Sequence, residues 1–151
     1  MDYHNQAFTL LELLVTLVIF SLLSLTGLYY YQSHRAKTQL GLFARQLYAD
    51  LSYAKEQAWL QQDIITLCPI QSNWHNGYDI QLNTTRLLIR TPAYPKKMQI
   101  QSHFGLNHPC VYFEPNGHIA FNGHFLYTHL NNTAQAKIIF TQSGKMHLTL
   151  S

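Results

Sequence analysis

The chain has 151 residues, of which 47% are hydrophobic and only 11% charged, with ten Lys and Arg against seven Asp and Glu and a formal net charge of +3. That length leaves room for one folded domain beside a single apolar segment and excludes a multi-domain machine. Polar surface made of Tyr, Asn, Gln and Thr suits an exported protein that packs against related subunits. The two cysteines make no CxxC pair, and neither metal-ligand spacing nor an internal repeat occurs.

Residues 7–28 read AFTLLELLVTLVIFSLLSLTGL, an apolar run with one charge, Glu12, near its start. About 20 apolar residues cross the hydrocarbon core of a bilayer, so the run predicts a membrane-spanning helix. A lone carboxylate within such a span costs about 3 kcal/mol and needs a compensating partner. A secretory signal peptide has a basic start and about 7–15 apolar residues before its cleavage site. This run is longer, lacks Lys and Arg before it, and continues into Tyr29-Tyr30-Tyr31. An ordinary anchor would leave Glu12 unaccounted for.

The segment Phe8-Thr9-Leu10-Leu11-Glu12-Leu13-Leu14 resembles the FTLIELL start of type IV prepilins and pseudopilins. The resemblance implies cleavage by a prepilin peptidase between Ala7 and Phe8, methylation of Phe8, and pairing of Glu12 with the free amine of a neighbouring subunit during assembly. Charges buried together neutralise one another where either alone would be disfavoured. It also implies a single-pass inner-membrane precursor with its C-terminal part in the periplasm, joining a filament after processing. The chain departs from the family pattern in having Ala7 where Gly is usual and no Lys or Arg in Met1 to Gln6. Arg35 and Lys37, just past the run, would by the positive-inside rule give the opposite orientation. The longer, more specific signature takes precedence.

Beyond the run the helical pattern continues. Leu40, Phe43, Leu47, Leu51, Ala54 and Ala58 recur at three- and four-residue steps, while Arg45, Asp50, Lys55, Glu56 and Gln57 lie largely off that face. The helix is expected from Phe8 to Gln61. The pattern then changes to period two with turn punctuation. Strands are expected at Ile64–Ile70, at Tyr78–Leu82 and Arg86–Arg90 around Asn83-Thr84, and at Met98–Ser102. Further strands are expected at Val111–Glu114 and His118–Phe121 around Pro115-Asn116-Gly117. Asn122-Gly123 predicts a hairpin leading into His124–Tyr127. Lys137–Thr141 and Lys145–Leu150 flank Gln142-Ser143-Gly144. The fold class is α+β: a long N-terminal helix, its first half membrane-spanning, packed on an antiparallel sheet. The expected organisation is a leader at 1–7, an assembly helix at 8–28, an amphipathic continuation at 29–61 and a β-rich head at 62–151.

Within that head, Thr66-Leu67-Cys68-Pro69, then Trp74 with Gly77-Tyr78, then Phe113 with Gly117, then Ile138-Ile139-Phe140 before Ser143-Gly144, is similar to the GspH/FimT family. The resemblance implies a pilin-like fold and a minor pilin or pseudopilin of a type IV pilus or type II secretion system. The implied partners are other pilins or pseudopilins, the prepilin peptidase, the inner membrane and, in an alternative role, DNA taken up during transformation. Trp74, Phe113 and Phe140 also read simply as core aromatics.

DNA-binding members carry a C-terminal Gly-Arg-x-Arg motif, matched here by Gly144-Lys145-Met146-His147. Lys145 keeps a cation, whereas His147 is mostly neutral near pH 7. Strand alternation puts Lys145, His147 and Thr149 on one face, as a phosphate-binding strand needs. Loss of Arg removes the bidentate fork. Lys137, Arg86, Arg90, Lys96 and Lys97 could add to a basic surface. From Tyr29 onward ten basic residues face five acids, a net charge of about +5.

Cys68 and Cys110 are either a disulfide or two buried thiols. The nine histidines show no HxH or HExxH spacing, and His118 and His124 would point to opposite faces of the Asn122-Gly123 hairpin. No metal, no cofactor and no enzymatic activity is expected.

Overall fold

The computed structural model describes residues 9–105, 109–130 and 132–151, without the side chains of residues 25, 26, 28, 29, 32, 33 and 132. Helix α1 covers Leu10–Gln61. Two units divide the chain, Met1–Arg35 and Ala36–Ser151.

In the first unit the described side chains of α1 are exposed all round; Leu10 and Leu11 are 79% and 72% accessible. Among the described residues, no helix is long and apolar enough to cross a membrane. The expected membrane-spanning first half of the helix, and the single-pass inner-membrane location drawn from it, are corrected accordingly. The run is not uniformly apolar. Glu12, Thr16, Ser21 and Ser24 interrupt it, and the three hydroxyls turn back onto the carbonyls of Leu13, Val18 and Phe20.

In the second unit α1 is amphipathic. Leu40, Ala44, Leu47, Leu51, Ala54 and Ala58 are buried in one continuous core. The helix ends where Gln62 takes a left-handed backbone (φ 51). Asp63 closes the exit: its carboxylate accepts from the Ile64 amide at 2.7 Å and from Asn83 Nδ2 at 2.9 Å. Asn83 is itself left-handed (φ 53), which ties the end of the helix to the next turn.

Eight strands follow: β1 (Ile65–Pro69), β2 (Tyr78–Leu82), β3 (Thr85–Arg90), β4 (Met98–Phe104), β5 (Val111–Phe113), β6 (Gly123–His129), β7 (Asn132–Phe140) and β8 (Met146–Leu150). They form two antiparallel four-stranded sheets, ordered β3-β2-β1-β5 and β4-β6-β7-β8. Inward positions alternate as a half-buried sheet requires. Ile65, Leu67, Tyr78, Ile80, Val111 and Phe113 come from the first sheet; Met98, Phe125, Tyr127, Ala136, Ile138 and Phe140 come from the second. Trp74, in a short helical turn, meets Phe125 edge-on at 4.7 Å and Phe104 at 5.9 Å. Trp74, Phe113 and Phe140 are thus core aromatics.

Two local expectations fail. His118–Phe121 is no strand; a single bridge joins Phe113 and Ile119. Asn122-Gly123 makes no hairpin either, because β6 pairs with β4 and β7. Gly123 instead serves close packing: a Cβ there would lie 2.7 Å from Phe140 Cζ and 2.9 Å from the Phe104 ring. The expected placing of His118 and His124 on opposite faces of that hairpin falls with it.

Candidate functional site

Ala7 and Phe8, the expected processing residues, lie outside the described residues. The helix start next to them is described. Thr9 precedes α1, and its Oγ1 accepts from the Glu12 amide at 3.3 Å while its carbonyl accepts from the same amide at 3.0 Å. The Thr-x-x-Glu spacing is that of a capping box, and an acid in the first turn complements the helix dipole. Glu12 is exposed. It therefore has a local role within one subunit, compatible with a partner outside it.

The residues matched to the DNA motif separate into two kinds. Gly144 is a turn residue: it is buried, has φ 74, and a Cβ on it would overlap the Gly117 carbonyl. Its own carbonyl accepts from Lys55 Nζ at 2.8 Å. Lys55 thereby fixes the turn between β7 and β8, although its sequence position suggests only a solvated helix face. Gly144→Ala should cost about 2 kcal/mol or more, from left-handed strain plus overpacking, measured by urea denaturation. Lys145, just before β8, and His147, on it, are by contrast exposed. Lys137 stands opposite Thr149, and Ile139 opposite His147. Lys137, Lys145 and His147 therefore share the outer face of the second sheet. Arg86 and Arg90 do not join them: both are on β3 of the other sheet, with Arg86 Nε 3.3 Å from Asp79 and Arg90 Nε 3.0 Å from Asp50.

Asp50 is the residue whose role the sequence pattern missed. Expected off the apolar face, it is only 4% accessible. Its carboxylate accepts from Tyr78 Oη at 2.7 Å, Arg90 Nε at 3.0 Å, Arg90 Nη2 at 3.3 Å and Gln46 Nε2 at 3.2 Å. These bonds tie α1 to the β2–β3 hairpin. Burial, and then the bond to the Asp50 carboxylate, hold the Tyr78 phenol far above its ordinary pKa, so it remains a donor throughout the physiological range.

Cys68, on β1, and Cys110, next to β5, are joined in a disulfide that clips together two strands already paired through Leu67 and Val111. Among the described residues no group of three or more His, Cys, Asp or Glu could hold a metal ion.

The profile of the family described as type II transport protein GspH matches residues 44–144. The chain belongs to the GspH family. The prokaryotic N-terminal methylation motif matches residues 3–28. No curated protein sequence matches the chain. Among solved structures, the fold is similar to the type IV minor pilin FimU of Pseudomonas aeruginosa, with TM-score 0.64 and 18% identity over 76% of this chain and 90% of that one. It is also similar to the minor pseudopilin EpsH of the Vibrio cholerae type 2 secretion system, with TM-score 0.58 and 11% identity over 74% and 96%. This GspH-family chain is a minor pilin or pseudopilin subunit of a type IV pilus or type II secretion system.

Proposed function

We propose that the subunit is matured by a prepilin peptidase between Ala7 and Phe8, and that it enters its filament through the first turns of α1, where Glu12 meets the amino terminus of a neighbouring pilin or pseudopilin. The observation that carries this reading is the methylation motif over residues 3–28 on a helix whose apolar side chains, from Leu10 to Leu23, are uncovered in the single subunit. A helix apolar all round is at home only when enclosed. Sister helices of a filament would enclose this one, and a carboxylate enclosed with it would need a cation. Glu12→Ala should leave the cellular level of the subunit unchanged and cut its recovery in sheared filaments by at least about tenfold, since stranding one member of a buried pair costs several kcal/mol. Normal recovery would count against the pairing.

The second reading is a DNA-binding minor pilin. It is favoured by the placement of Lys137, Lys145 and His147 on one sheet face whose strands, β4, β6, β7 and β8, carry no Asp or Glu. Phosphate contacts made by such a face bind without sequence preference and weaken with salt. In mobility-shift titrations Lys145→Ala should weaken binding several-fold; unchanged affinity would remove Lys145 from the surface.

A further inference from the structure

The same sheet face carries a pattern that no sequence motif suggested. Sheet order brings together residues far apart in the chain: His103 on β4 stands opposite His124 on β6, His124 opposite Ile139 on β7, and Ile139 opposite His147 on β8. One transverse row thus holds three histidines, spanning roughly 14 Å at ~4.8 Å per strand. The His103 and His124 rings stack at 4.8 Å, 11° from parallel. His103, Lys145 and His147 are exposed, and His124 and Lys137 half-buried.

The four strands of this sheet carry no Asp or Glu; the acid in the adjoining loop is Glu114, whose carbonyl accepts from the Gly117 amide where that loop packs on the Gly144 turn. On the outer face β4 adds Gln99 and Gln101, β6 adds Leu126 and Thr128, β7 adds Gln135 and Lys137, and β8 adds Thr149, with Lys145 just before it. The opposite face meets the core, and on that side Asp50 is held by Arg90 and Tyr78.

Building on the DNA-binding reading, we infer that the outer face of the second sheet is an acid-strengthened DNA-binding surface, in which His103, His124 and His147 join Lys137 and Lys145. At neutral pH the two lysines supply its charge. Protonation of the row adds up to three more. About 14 Å of duplex presents roughly eight phosphate charges, enough to meet all five. In the free protein burial, then Lys137 and His103, hold His124 below its ordinary pKa. A polyanion laid over the row reverses that balance. Binding therefore takes up protons, and affinity rises as pH falls through the imidazole range.

The test uses the full-length protein and a labelled 30-base-pair duplex of mixed sequence, titrated at pH 7.5 and pH 5.5 over a series of salt concentrations. Binding should be at least about tenfold tighter at pH 5.5, with the log–log salt slope steepening from about −2 toward about −4. H103N/H124N/H147N should bring that pH ratio down to about twofold. H118N, a histidine outside the row, should keep it. Thermal melts verify folding; should the triple variant melt early, H147N on the edge strand alone should still lower the ratio. A pH ratio near one for the wild type, or a full ratio in the triple variant, overturns the role of the histidines while leaving the DNA-binding reading in place. Absence of binding at both pH values in low salt overturns both. A sulfated polysaccharide that binds more tightly than the duplex under the same conditions would overturn DNA as the partner.

Discussion

Asp50→Ala should destabilise the β-rich unit by about 3 kcal/mol or more, read as a drop in the urea midpoint with little change in m-value. The loss has two parts. Tyr78 Oη is buried and loses its acceptor, which costs about 1–3 kcal/mol. Arg90 loses its counter-charge, though its side chain is 42% accessible and rehydrates in part, so this part is the smaller. Removing the whole polar set should behave differently. D50L/Y78F/R90M leaves neither donor nor charge stranded, and replacing a buried ionic cluster by apolar side chains is often close to neutral. The triple variant is therefore expected to recover most of the loss seen in Asp50→Ala. If Asp50→Ala is neutral, the carboxylate does not hold helix and hairpin together. If the triple variant is as unstable as the single one, the loss comes from packing and not from stranded groups.

The second large effect concerns the disulfide. Cys68 and Cys110 are 42 residues apart in sequence, and closing a loop of that size restricts the unfolded chain by an amount worth about 2–4 kcal/mol. C68A/C110A should lower the melting temperature by roughly 10 °C. The strands should still pair, because Ile65, Leu67, Val111 and Phe113 are fully buried and their ladder does not need the sulfurs. Reductant should lower the wild-type melting temperature by a similar amount and leave the double variant unmoved. A wild type insensitive to reductant, with an equally stable double variant, would mean that the bridge contributes nothing to stability.

The sequence revealed features governed by local periodicity. The three- and four-residue spacing from Leu40 to Ala58 marks the buried face of α1, and the helix ends at Gln61 as the pattern implies. Period-two runs located most strands, though not the start of β7, which begins at Asn132, well before Lys137. What stayed hidden was set by distant partners. Asp50 reads as a solvated acid until Arg90, forty residues on, and Tyr78 are seen to close over it. Asn122-Gly123 carries the local signature of a turn, but the glycine answers to Phe104 and Phe140 across the sheet. The histidine row follows from the strand order β4-β6-β7-β8, which no local pattern encodes. The apolar run from Ala7 to Leu28 reads as a bilayer span by composition; among the described residues no helix is long and apolar enough to cross one.

Assembly through Glu12 requires a subunit trimmed at its amino end, so that a new α-amine can stand beside Glu12 of a sister chain. Intact-mass and N-terminal peptide analysis of the subunit isolated from its native filament tests this most directly. The expected product starts at Phe8 and carries one extra methyl on its amine. A filament-borne subunit that retains Met1, or one that starts beyond Glu12, would contradict the account.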